Sequence, residues 1–141
     1  MNHIKTPLAF ISFDHKLNEA DRARFVEEKD ACREAFNVEH WSTAPRTPRD
    51  DWEKMVHSRI GRCEFMVVLV AEGMDRTQVE YEILEAKRCN VPFFGIYVDG
   101  LLTGSLLPDG LGAKRTAPWD WDRIAAAISQ VTKEGKHHVF R

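Results

Sequence analysis

Short, wholly apolar runs alternate along the chain with longer charged stretches whose apolar residues recur every three or four positions, the pattern of an α/β domain. Leu8–Phe13 reads as a first strand. The charged stretch from about Asn18 to Phe36 places Phe25, Cys32, Ala35 and Phe36 on one helical stripe, and Val38–Trp41 reads as a short second strand. After the loop Ser42–Pro48, Thr47 is placed to cap a helix, with Pro48 in its first turn and Asp50 completing a capping box. Trp52, Met55, Val56 and Ile60 form its apolar face. Phe65–Val70 is apolar without alternation, so both its faces should be covered, which favours a parallel sheet between helices. A third helix is predicted over about Gln78–Cys89 and another buried strand over Val91–Val98. Asp99–Ala113 shows no clear period and has room for one short helix. Thr116–Pro118 fits an edge strand, and Trp121, Ile124, Ala125, Ile128 and Val131 mark a closing helix.

Four to five parallel strands with helices on both faces define a flavodoxin-like, doubly wound sheet. In such sheets ligands sit beyond the carboxyl ends of the strands. The loops to search are therefore Asp14–Lys16, Trp41–Arg49, Ala71–Thr77 and the chain from Asp99 onward. The length of 141 residues fits a single domain with a core over about 8–133 and a short polar tail. A net charge of −2 with no long basic run argues against nucleic-acid or anionic-membrane binding. The longest apolar run, Phe65–Ala71, is far short of the ~18 residues of a membrane span. The N-terminus lacks a signal-peptide pattern. Cys32, Cys63 and Cys89 are odd in number with no C-x-x-C pair. Together these features lead to the expectation of a cytoplasmic protein with reduced thiols.

Several chemistries of this architecture lack their residues. No G-x-G-x-x-G or G-x-x-x-x-G-K-[ST] cradle is present, nor a G-x-S-x-G elbow. The first strand runs into Asp14-His-Lys rather than a flavodoxin phosphate loop, and the third ends in Ala71-Glu72 rather than an acceptor aspartate. No His/Cys cluster has metal-ligand spacing, so no metal is expected; His137-His138 is a polar tail. A carboxylate remains. On a wheel at ~100° per residue, Glu82 falls between Val79 and Cys89, inside the apolar arc of Ile83 and Ala86. Glu85 and Arg88 point outward, and Thr77-x-x-Glu80 reads as a capping box. An inward carboxylate near the ligand end of the sheet is costly unless it is used or paired. Pairing with Arg or Lys is the alternative to function.

The stretch Ala9-Phe-Ile-Ser-Phe13 followed by Asp14 resembles the first conserved box of TIR domains, F-I-S-[FY]-S-x-x-D. Gln78-Val-Glu-Tyr-Glu-Ile83 resembles the TIR motif W-[CV]-x-x-E-[LI], whose glutamate is essential for NAD cleavage in that family. Val91–Val98 is similar to the family's next core strand. The nearest variety looks like the TIR-like ThsB family of the bacterial Thoeris antiphage defence system. The resemblance implies that Glu82 is catalytic. It places Phe10, Phe13, Asp14 and His15 at the nicotinamide-ribose end of the pocket, and Trp41, Ser42 and the loop to Arg49 on a further wall that often mediates self-association. Gln78 stands where the motif has tryptophan, and Asp14-His15 where a serine is usual. From the residues alone, Phe10, Phe13 and Trp41 fit core packing as well as a pocket, Asp14 fits a cap, and His15 fits an exposed loop.

The resemblance further implies NAD as substrate rather than a tightly bound cofactor, and an ADP-ribose-derived product, cyclic or conjugated to a small nucleophile. It also implies self-association, a phage-derived trigger and a separate effector reached through that product. Two other functions fit the same residues: a non-catalytic TIR-like interaction or nucleotide-binding module, and a nucleoside deoxyribosyltransferase-like enzyme.

Overall fold

A computed structural model describes residues 6–98 and 107–136. Its elements run β1 (Leu8–Ser12), α1 (Glu19–Glu28), β2 (Asn37–Trp41), α2 (Arg49–Gly61), β3 (Phe65–Val70), α3 (Thr77–Arg88), β4 (Phe93–Tyr97), β5 (Thr116–Pro118) and α4 (Trp121–Glu134). The strands form one all-parallel sheet in the order β2-β1-β3-β4-β5. The fold is flavodoxin-like and doubly wound, with the edge strand at Thr116–Pro118 in place.

Parallel strands carry their side chains alternately to two covered faces. Phe65, Val67 and Leu69 of β3 join Ala9, Ile11, Phe94 and Ile96 under α1 and α4. Met66, Val68 and Val70 join Phe10, Phe93 and Tyr97 under α2 and α3. Every residue of β3 and β4 is buried, and the Tyr97 hydroxyl is the one polar side-chain group the two strands carry. The same alternation sends Ser12, at the end of β1, to the α2/α3 side with Phe10, and this positions the site described below.

The helix boundaries differ from the sequence expectation in three places. α1 stops at Glu28, eight residues early; a single 3-10 turn at Lys29–Ala31 follows, and Cys32 is already extended. Cys32 and Phe36 still reach the core, because burial fixes where a side chain points and not whether its backbone is helical. Thr47 does not cap α2: Pro48 occupies the N-cap position with extended backbone, and no side chain closes a capping box. Nor do Thr77 and Glu80 form one. Asp75 accepts from the Thr77 amide at 3.0 Å, and Glu80 instead accepts from the Asp109 amide at 2.7 Å. At its other end α3 closes in a Schellman motif, with Val91 N–H on Ala86 C=O, Asn90 N–H on Lys87 C=O, and Asn90 at φ +55°. Of the stretch read as irregular, residues 99–106 lie outside the described residues, as does the His137-His138 tail. Residues 107–112 form a loop and Ala113–Arg115 one 3-10 turn.

Candidate active site

Three distant pieces of chain meet at the carboxyl ends of β1 and β2. Ser12 ends β1 on the α2/α3 side, Ser42 follows β2, and Glu82 lies in the second turn of α3 on the face packed against the sheet. Glu82 is fully buried. Its Oε1 accepts hydrogen bonds from Ser12 Oγ at 2.7 Å and Ser42 Oγ at 2.5 Å, and its Oε2 faces Gln78 Nε2 at 3.4 Å. Ser42 also accepts from the Phe13 amide at 3.0 Å, which anchors the cluster to the backbone. No cation is among these partners. Burial therefore dominates and pushes the Glu82 carboxyl up to about 7, against the opposing hydrogen bonds from Ser42, Ser12 and Gln78.

Beside this cluster lies a cleft of about 700 Å³ whose walls include Asp14, His15, Lys16, Arg49, Trp52 and Gln78. That volume suits a nucleotide-sized ligand. Glu82 is not on its wall; Gln78 stands between. The Gln78 amide donates to the Thr43 carbonyl at 2.6 Å, which turns its oxygen toward His15 Nδ1 at 3.0 Å. His15 must then carry its proton on Nδ1 to complete that bond. The Gln78–Glu82 contact is the longest of the three that Glu82 makes, so it is the first to yield if the amide swings away. Trp52 and Tyr81 stack at 5.7 Å along the same cleft. Among the described residues Trp52 Nε1 is buried without a hydrogen-bond partner.

Asp14 holds the cleft's rim. One oxygen accepts from the Lys16 amide at 3.0 Å, the other from the Asp75 amide at 2.8 Å, tying the loop after β1 to the loop after β3. Asp14→Ala should cost about 1–3 kcal/mol, the penalty for stranded amides. It should also raise hydrogen exchange in residues 14–17 and 71–76. Unchanged exchange at the Asp75 amide would show that this tie is dispensable.

The sequence-derived candidates separate into three groups. Glu82 and Ser42 are bonded to each other, and Asp14 and His15 line the cleft. Phe10, Phe13 and Trp41 do not line it. Phe10 and Phe13 are fully buried core residues on opposite faces of the sheet, and Trp41 packs on the α1/α4 side with the Arg22 guanidinium 4.2 Å from its ring. Arg49, at the end of the loop expected to form a wall, lines the cleft, and Gln78, Trp52 and Ser12 are the additions. Trp52 and Gln78 had a signal of position: Trp52 lies in the first turn of a helix that starts at the ligand end of the sheet, and Gln78 precedes Glu82 by one turn. Glu85 does not point outward as the wheel had it. It is nearly buried, because α3 packs on α2 as well as on the sheet and so has two inward faces.

No family model and no curated protein sequence matches the chain. Among solved structures, it is similar to a Burkholderia pseudomallei protein described as pilus assembly-related, at 14% identity over 100% of this chain and 98% of that one, with a TM-score of 0.54. It also aligns with a prokaryotic SEFIR domain at 15% identity over 91% and 97% of the two chains, with a TM-score of 0.47. The first likeness bears on the fold alone. No helix among the described residues is long and apolar enough to cross a membrane.

Proposed function

We propose that this chain is a TIR-like enzyme that breaks the bond between nicotinamide and ribose in NAD, with Glu82 as its catalytic carboxylate. The observation that carries the reading is a fully buried glutamate, held by two serine hydroxyls and no cation, one side chain behind a nucleotide-sized cleft. In the reaction the C1′–N bond breaks heterolytically. Its electron pair goes to the pyridinium nitrogen, nicotinamide leaves neutral, and positive charge develops on the ribose. Glu82, reached when the Gln78 amide turns aside, stabilises that charge as its carboxylate. Lys16 and Arg49 on the cleft walls are suited to the pyrophosphate. Water adding to C1′ with loss of a proton gives ADP-ribose. An internal nucleophile gives a cyclic isomer, and an added small nucleophile a conjugate.

The further reading, a cyclic or conjugated signal made in the cytoplasm for a separate effector in antiphage defence, as in the ThsB family, is supported by the motif resemblance. The same resemblance supports self-association and activation by a phage-derived trigger. One observation favours the non-catalytic module instead: Glu82 already ties three chain segments together, which is a structural task in itself.

The test incubates the full chain with NAD, alone, under crowding and with phage lysate, and measures free nicotinamide by chromatography. Release that Glu82→Gln abolishes supports the enzyme, whereas release surviving that change removes Glu82 from the chemistry. Saturable NAD binding without release would select the module, and cleavage of deoxynucleosides but not NAD the transferase-like reading. Because the ionised form acts, kcat/KM should rise with pH, level off above about 7, and fall tenfold per unit well below it. A flat profile between pH 5 and 8 would contradict the assigned role.

A further inference from the structure

Away from the cleft, α2 brings His57 against Glu85 and Cys89, which stand one helical turn apart at the end of α3. His57 lies near the end of α2, Glu85 in the last turns of α3, and Cys89 directly after α3. Glu85 Oε2 is 2.8 Å from His57 Nδ1, and Cys89 Sγ is 3.6 Å from the same nitrogen. The three donor atoms lie within 4.8 Å of one another.

That shared nitrogen decides what the cluster can do. In a nucleophilic relay, the carboxylate holds one imidazole nitrogen and the thiol faces the other. Here sulfur and carboxylate converge on one nitrogen, so His57 cannot pass a proton from Cys89 while being held by Glu85. Burial and the neighbouring Glu85 charge also push the Cys89 thiol up, away from the thiolate a free nucleophile needs. Three different donor atoms gathered within 4.8 Å of one another are instead a set that one cation can join.

We propose that His57 Nδ1, the Glu85 carboxylate and the Cys89 thiolate bind one zinc-type divalent cation, with water in the fourth position. A nitrogen, sulfur and oxygen donor set suits a borderline-soft ion over magnesium or calcium. With Zn–N near ~2.0 Å and Zn–S near ~2.3 Å, a tetrahedral site sets nitrogen and sulfur roughly 3.5 Å apart, close to the separation observed. Arg88 holds the other Glu85 oxygen at 2.5 Å and leaves Oε2 turned toward His57, the kind of outer contact that orients a ligating carboxylate. The Schellman closure fixes the backbone on either side of Cys89, and the carboxyl end of α3 adds a favourable dipole for a cation. The His57 side chain is 60% exposed and gives the ion a path in from solvent.

Binding balances simply. Cys89 releases its proton to solvent, the His57 proton moves from Nδ1 to Nε2, and the Nδ1, Sγ and Oε2 lone pairs form the metal bonds. The ion would staple α2 to α3, the two helices that carry Trp52 and Tyr81 along the cleft. The site does not depend on the proposed NAD chemistry, since Glu82 takes no part in it.

The experiment uses the full, reduced, chelator-stripped chain titrated with Co²⁺, followed by competition with Zn²⁺. The expected result is one equivalent of cobalt, a near-ultraviolet thiolate-to-cobalt charge-transfer band, and loss of that band on adding zinc. Cys89→Ser should abolish the band. His57→Ala, at an exposed position that folding tolerates, should weaken cobalt affinity at least tenfold with the thiols intact. Cys32→Ser and the paired change His137→Ala with His138→Ala should leave the band unchanged. Zinc should raise Tm of the wild type and not of Cys89→Ser. Absence of the band, its persistence in Cys89→Ser, or its loss on removing the two tail histidines would overturn the site.

Discussion

Glu82→Gln is expected to lose at least about a hundredfold in NAD cleavage, the order seen when one preorganised electrostatic group is removed, and yet to be more stable than the wild type above neutral pH. The two effects share one cause. Burial holds the Glu82 carboxyl at about 7 in the folded chain, against an ordinary value of 4.5. The folded state therefore binds this proton more tightly than the unfolded one. Stability from the protonated carboxyl is present in full below about pH 4.5 and is lost as pH rises through about 7. Well above that, keeping an ionised Glu82 in place costs roughly 3 kcal/mol. Glutamine keeps an oxygen for Ser12 and Ser42 and has no charge to desolvate. At pH 8 it should unfold at a Tm several degrees above the wild type, equivalent to about 1–3 kcal/mol, and the gap should narrow toward pH 5. Calorimetry at the two pH values reads this directly. A variant that is less stable by the same margin at both would mean that the hydrogen bonds, not desolvation, govern Glu82.

The largest loss of stability is expected at Phe25. α1 is strongly charged, and Phe25 is its one buried residue. Its ring lies 5.2 Å from Trp121, 5.7 Å from Phe36 and 6.0 Å from Trp119, so it joins α1 both to α4 and to the segment leading into β2. Phe25→Ala removes all three contacts and leaves a void the charged helix cannot fill. About 3–5 kcal/mol should be lost, with a fall in Tm of ten degrees or more. Amides of α1 should exchange faster than those of β3 in the variant. A loss below about 1 kcal/mol would show that α1 is held by its surface ion pairs.

The strands were legible because a parallel strand covered on both faces has one kind of sequence, and Phe65–Val70 and Val91–Val98 have no other good interpretation. Glu82 was legible for a related reason, as a charge inside an otherwise apolar arc. What failed was anything set by a partner distant in the chain. Glu85 has a helical angle that points away from the sheet, but its angle relative to α2 depends on how two helices cross. The early end of α1 was hidden because Cys32 and Phe36 continue its spacing after the helix has stopped. Both expected capping boxes had the right residues and lost to other bonds: Glu80 to the Asp109 amide, and the start of α2 to Pro48. Gln78 was visible as a departure from the TIR motif, but its position between cleft and carboxylate needed coordinates.

Glu82 is bonded to residues 70 positions before it and 40 positions before it in the chain. No short peptide can hold that arrangement, since β1 must pair with β3 and accept β2 on its other edge before the two serines face α3. Long-range pairing of this kind is slow to assemble. Any chain truncated ahead of α3 would leave the Ser12 and Ser42 hydroxyls without the carboxylate they share. Whatever this carboxyl group does, it does only once the last of those crossovers has closed, so its protonation reports that β1, β2 and α3 have come together.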